Sequence, residues 1–140
     1  RGVGESEGRF DNGIGEQADV AGAISVLADR GIGVIDLAGY SFGAWVNSQI
    51  EAQQLGIHDL VMVSPPVAYI RHDSKRSLPL LRHIVTGSED EIAPVSLIRE
   101  MIPVWNSEAH FHVLDGADHF YFGHLDQLRD IIRNILSTRP

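Results

Sequence analysis

The pentapeptide Gly39-Tyr40-Ser41-Phe42-Gly43 sets a serine in the pattern G-x-S-x-G. The apolar run Val34-Ile35-Asp36-Leu37-Ala38 leads into it, and a helix-compatible segment follows. A strand, a sharp turn and a helix are the context that exposes a serine Oγ as a nucleophile. Such a turn strains the serine backbone, and side chains two residues before and two after are expected to collide with it, which glycine avoids. The hydroxyl then sits at a helix N-terminus, where the dipole and the free N–H groups favour developing negative charge. A serine hydroxyl is a weak nucleophile at neutral pH and needs an adjacent base with a third group to orient that base. Two further loops supply candidates. Residues 86–94 hold Asp90 between Glu89 and Glu91, and residues 115–120 hold His119. His119 would take the serine proton and return it to the leaving group. Asp90 would hold the imidazole in the useful tautomer and stabilise its charged form. Asp118 reads as a turn residue or helix cap rather than a second acid.

These loops need a frame. Residues 1–15 read as a glycine-rich loop, with turn signals at Asp11-Asn12-Gly13. Residues 16–30 read as a helix with Val20, Ile24 and Leu27 on one face and Gly31 as its stop. A strand covers 34–38, and a helix 44–55 ends at Gly56. A strand at 59–64 stops at Pro65-Pro66. Residues 67–79 form an irregular connection with Arg71, His72, Asp73, Lys75 and Arg76. A third strand covers 80–86. Pro94 opens a helix carrying Val95, Ile98 and Ile102, and Pro103 is expected to end it. The fourth strand covers 110–114, and Leu125, Leu128, Ile132 and Ile135 mark a last amphipathic helix. Strands alternating with helices predict an α/β domain over 1–140, a mostly parallel sheet flanked by helices with right-handed crossovers. Functional loops then gather at the C-terminal ends of the strands. Asp36, Arg82 and His83 interrupt strands that should be apolar, so each needs a partner or an exposed face.

Composition narrows the function classes. The 140 residues are 44% hydrophobic with a net charge of −8, and no basic stripe is present, which argues against a nucleic-acid partner. The chain has no cysteine, which removes disulfides, thiolate nucleophiles and cysteine-based zinc sites and fits a reducing, cytoplasmic setting. The longest apolar run, 20–28, contains Gly22 and Ser25 and is far short of the ~20 residues of a membrane span. His110 and His112 share a strand face, but the sequence offers no third ligand beside them, so no metal site is expected. Gly2-Val3-Gly4 with Gly8 lacks a preceding strand and reads as a turn loop, not a dinucleotide motif. Arg71 and Lys75 raise a weaker expectation of an open pocket that tolerates anionic acyl groups.

With its functional residues in the order serine, acid, histidine, the chain resembles the α/β-hydrolase superfamily, and within it the small, capless serine hydrolases related to dienelactone hydrolases. The segment Arg1-Gly2-Val3-Gly4-Glu5-Ser6-Glu7-Gly8 is similar to the loop after the family's fourth strand. Gly39-Tyr40-Ser41-Phe42-Gly43-Ala44 is similar to the elbow after its fifth. Gly87-Ser88-Glu89-Asp90-Glu91-Ile92-Ala93-Pro94 matches the acid segment, and Gly116-Ala117-Asp118-His119-Phe120 the histidine segment. The resemblance implies Ser41 as nucleophile, Asp90 as acid, His119 as base and the Phe42 backbone N–H as an oxyanion donor. Tyr40 and Phe42 flank the nucleophile and are candidate walls of an acyl pocket. The implied function is hydrolysis of a small-molecule carboxylic ester or related acyl bond through an acyl-enzyme, without a cofactor. Lactones, thioesters and peptides stay open as substrates. A second reading is a non-catalytic fragment or pseudo-enzyme serving as a binding or assembly module. The family has three or four more strands before the Arg-Gly loop, and the second oxyanion N–H comes from among them. The expectation is a C-terminal part of that fold, whose 34–38 strand leaves an open edge through which a homo-oligomer could pair.

Overall fold

The computed structural model describes residues 1–70 and 76–137. Its elements follow in the order α1 (Ile14–Asp29), β1 (Ile35–Tyr40), α2 (Phe42–Gln49), β2 (Ile57–Val63), β3 (Leu81–Gly87), α3 (Val95–Trp105), β4 (His110–Leu114) and α4 (Leu125–Ser137). The four strands form one sheet in the order β1-β2-β3-β4, and every pairing is parallel. The run Leu60-Val61-Met62-Val63 in β2 and the run Ile84-Val85-Thr86 in β3 are buried throughout, as expected of strands covered on both faces. On one face Leu60, Met62 and Ile84 pack against Ala44 of α2 and Ile98 and Trp105 of α3. On the other, Val63, Val85 and Leu114 meet Leu128, Ile131, Ile132 and Ile135 of α4. Ile24 of α1 joins Ile35, Ile50 and Ile57 in a third cluster.

Three helices differ from the sequence reading. The segment expected to be helical over 44–55 leaves the helix after Gln49, and Ile50 is already extended. Ile50 is buried with Ile35 and Ile57, and the Arg76 guanidinium accepts the role of cap by donating to the carbonyls of Gln49 at 3.0 Å and Ile50 at 3.2 Å. Tertiary packing there outweighs helix propensity. Pro103 lies inside α3 rather than ending it. The last turn persists because Trp105 is buried in the core and its carbonyl receives the Leu78 N–H at 2.7 Å. In α4 the half-buried stripe against the sheet uses Ile131 in place of Leu125, which is 63% exposed.

The polar residues that interrupt the strands find partners on neighbouring strands. Asp36 lies 3.4 Å from His58, Arg82 donates to Asp59 at 3.2 Å, and His83 lies 3.2 Å from His112. The strand β1 is terminal in the sheet, with Val34 and Ile32 exposed on the approach to it.

Candidate functional site

The turn from β1 to α2 places Ser41. Its backbone adopts φ 51° and ψ −120°, a region that disfavours side chains. The strain is held by the Ser41 N–H donating to the Val63 carbonyl at 2.8 Å and the Ser41 carbonyl accepting from Trp45 at 3.2 Å. A Cβ on Gly39 would lie 2.6 Å from the carbonyl atoms of Gly43, so no larger residue fits without moving backbone. The expected collision at Gly43 is not found. A Cβ there would meet nothing within 4 Å beyond the backbone of its own helix.

The loop after β3 holds Asp90, which is 3% exposed. Its Oδ1 accepts the N–H groups of Ile92 at 2.9 Å and Ala93 at 2.7 Å. The Thr86 hydroxyl lies 3.3 Å from Oδ2 while donating to the Ala93 carbonyl at 2.8 Å. These contacts fix the carboxylate in one orientation. Glu89 and Glu91, its acidic neighbours in sequence, are exposed. The loop after β4 holds His119, which is 6% exposed. Asp118 closes that loop by accepting the Phe120 N–H at 3.0 Å and the Phe122 N–H at 3.3 Å. The two loops are tied together: Glu89 donates to the Ala117 carbonyl at 3.0 Å and Gly116 to the Ser88 hydroxyl at 2.8 Å.

The structure brings the three sequence-selected side chains together. Ser41 Oγ is 2.9 Å from His119 Nε2, and His119 Nδ1 is 3.0 Å from both oxygens of Asp90. A carboxylate can only accept from Nδ1, so the neutral ring carries its proton there and presents Nε2 as acceptor to the serine O–H. That is the geometry a base-activated hydroxyl needs. Phe42 is the first residue of α2, so its N–H has no acceptor one turn back and lies beside the serine.

Tyr40 takes a position different from a simple pocket wall. Its hydroxyl donates to the His119 carbonyl at 2.8 Å, and its ring stands 5.3 Å from the imidazole. Sequence reasoning missed Thr86, Ser64 and Tyr121. Ser64 and Tyr121 share a buried 2.7 Å hydrogen bond under the histidine loop, and burial pushes the Tyr121 phenol up to about 12. No spacing or motif marks that pair, since it links the end of β2 to a loop 57 residues away. An open cavity of about 320 Å³ beside His119 is lined by Glu89, Glu91, Ile92, Asp118 and Phe120. Arg71 and Lys75, on which the anionic-substrate expectation rested, lie outside the described residues, and Arg76 caps α2. Among the described residues no helix is long and apolar enough to cross a membrane.

No protein-family profile matches the chain. In sequence it is 30% identical over 148 aligned positions to an uncharacterised protein of Rickettsia prowazekii, an alignment covering 99% of this chain and 62% of that protein. In structure it is similar to an α/β serine hydrolase homologue from Coxiella burnetii, with a TM-score of 0.84 and 34% identity over 96% of this chain and 65% of that one. It is also similar to a member of the α/β serine hydrolases without a lid from Xanthomonas campestris, with a TM-score of 0.79 and 27% identity over 100% of this chain and 66% of that one. The chain therefore spans just under two thirds of the length of these relatives.

Proposed function

We propose, from the premise that the chain belongs to the α/β-hydrolase superfamily, that it provides the Ser-Asp-His centre of a serine hydrolase acting on a small-molecule carboxylic ester or related acyl bond. The observation that carries this reading is the continuous contact from Ser41 Oγ to His119 Nε2 at 2.9 Å and from His119 Nδ1 to Asp90 at 3.0 Å. In the proposed reaction Ser41 Oγ attacks the carbonyl carbon while its proton passes to Nε2. The Phe42 N–H donates to the oxyanion, and Asp90 stabilises the imidazolium. Collapse of the tetrahedral adduct expels the alcohol, which takes the proton from Nε2. Water then repeats the sequence on the acyl-enzyme: Nε2 takes its proton and returns it to Ser41 as the acid departs. Each proton has a side-chain carrier. A cytoplasmic setting belongs to this reading and is supported by the lack of cysteine.

A second reading, an assembly module that pairs through β1, is favoured by the place of that strand at the sheet edge. One sample separates the two. A fluorophosphonate probe should label the purified chain covalently and leave Ser41→Ala unlabelled. Folded chain that resists the probe, and elutes as a dimer in gel filtration, would favour the assembly reading.

A further inference from the structure

Asp36, His58 and Asp59 lie together near the N-terminal ends of β1 and β2. Asp36 is five residues before Ser41, about 16 Å away at the rise of a strand. The pairing of β1 with β2 shows why they meet. Ile35 faces Ile57 and Leu37 faces Leu60, so the single residue Asp36 stands opposite both His58 and Asp59. Two residues against one is a bulge, a feature that is rare between parallel strands and that re-aims side chains. In a regular strand His58 and Asp59 would point to opposite faces. Here His58 Nδ1 lies 3.3 Å from Asp59 Oδ2 and 3.4 Å from Asp36 Oδ1. The three donor atoms all lie within 4.8 Å of one another.

Two explanations of these distances can be set side by side. A charge-assisted N–H···O bond from imidazolium to carboxylate closes to about 2.7–2.9 Å, and neither contact does. Donors held about 2.0–2.1 Å from a tetrahedral zinc ion stand about 3.3–3.4 Å apart along each edge of the tetrahedron. Both His58 contacts have that edge length. A next shell is also present. A second register shift, between β2 and β3, leaves Arg82 unmatched, and its Nε donates to Asp59 Oδ1 at 3.2 Å. That bond engages one carboxylate oxygen and leaves Oδ2 turned toward His58, as outer partners orient metal ligands. The Asp36 side chain is 11% exposed and that of His58 54%, so the set has a buried wall and an open mouth.

We infer that Asp36 Oδ1, His58 Nδ1 and Asp59 Oδ2 form a binding site for a borderline divalent cation of the zinc class, with a fourth position open to water. One imidazole and two carboxylates suit zinc better than calcium or magnesium, which take oxygen donors in larger number. The bound ion would join β1 to β2 at the foot of the strand that carries the serine, so its effect is on the stability of that pairing.

The test is a titration of the metal-free chain with Zn²⁺, followed by calorimetry and by NMR of the imidazole nitrogens. One equivalent should bind, and of the seven histidines the Nδ1 resonance of His58 should show the coordination shift. Asp36→Asn and His58→Gln should each weaken binding at least about tenfold, the loss typical even of an outer partner. His112→Asn should leave binding unchanged. Mg²⁺ should not compete. No uptake of Zn²⁺, uptake without a shift at His58, or loss of binding through His112→Asn instead would each overturn the site. The NMR readout uses the unaltered chain, so it decides even if a variant fails to fold.

Discussion

The Tyr40 phenol donates to the backbone carbonyl of His119 at 2.8 Å, joining residues 79 positions apart. The residue next to the serine thus holds the loop that carries the imidazole. A shift of about 1 Å in a positioned group can lower a rate about a hundredfold. Tyr40→Phe keeps the ring and removes only the donor. It should lower stability by about 0.5–1.5 kcal/mol and lower kcat toward a simple ester with KM little changed. Denaturant unfolding and steady-state kinetics on the same preparation check both. A change confined to KM would make Tyr40 a substrate contact instead.

The two glycines of the G-x-S-x-G turn should behave differently. Gly39→Ala sets a methyl 2.6 Å from Gly43 backbone atoms, so the turn must open. Overpacking of this kind costs about 1–3 kcal/mol, and fluorophosphonate labelling of Ser41 should be lost. Gly43 is the second residue of α2, with open space where its Cβ would be. Gly43→Ala should therefore keep labelling and raise stability by up to about 1 kcal/mol, the helical advantage of alanine over glycine. Equal damage from both substitutions would refute the account of the turn.

What could be read in advance divides along physical lines. Ser41, Asp90 and His119 were legible because each follows an apolar strand run, and a parallel sheet delivers such loops to one rim. The choice of Asp90 over Glu89 and Glu91 was helped by the resemblance; in the structure the loop buries Asp90 alone against the Ile92 and Ala93 N–H groups. The end of α2 was not legible, because it is set by Ile50 entering a cluster with Ile35 and Ile57 and by Arg76 reaching back to its carbonyls. Nor was Pro103 inside α3, which depends on the burial of Trp105. The convergence of His58 and Asp59 on Asp36 was hidden for the same reason. Alternation along a strand sends adjacent side chains apart, and only the bulge reverses that.

The cavity beside His119 carries Glu89, Glu91 and Asp118 on its rim and, among the described residues, no lysine or arginine. A rim of one sign raises the local concentration of the opposite charge and repels its own. Among acyl esters of equal size, one with a quaternary ammonium group should give a higher kcat/KM than one with a carboxylate. Neutralising the rim with Glu89→Gln and Glu91→Gln together should bring the two closer. Because these groups are exposed, salt near 1 M, where the Debye length is about 3 Å, should do the same in the unaltered chain. A preference for the carboxylate ester would return the argument to the basic connection at Arg71 and Lys75.

His83 and His112 make stability sensitive to acid. The His83 ring stacks on His110 at 5.2 Å and on His112 at 5.4 Å, beneath Ile131 and Ile135 of α4. Burial is the main cause that holds His83 and His112 below the ordinary imidazole value; the charge of His112 lowers His83 further, and the charge of His110 lowers both. Arg82 pushes His83 the same way and Asp59 opposes it. A group that binds its proton less readily folded than unfolded makes the unfolded state the greater proton binder just below pH 6.5, so stability rises with pH there. Above that value both states are neutral and the effect vanishes. As pH falls through it, the unfolded chain takes up protons first and the folded state loses ground, until the half-buried rings also titrate. Melting temperature should therefore fall between about pH 7 and about pH 5.5, within the range where imidazoles titrate. The paired substitution His83→Gln with His112→Asn, neutral at every pH, should flatten that fall relative to the unaltered chain. Differential scanning calorimetry on the two proteins gives the comparison, and parallel curves would show that these rings do not govern the acid response.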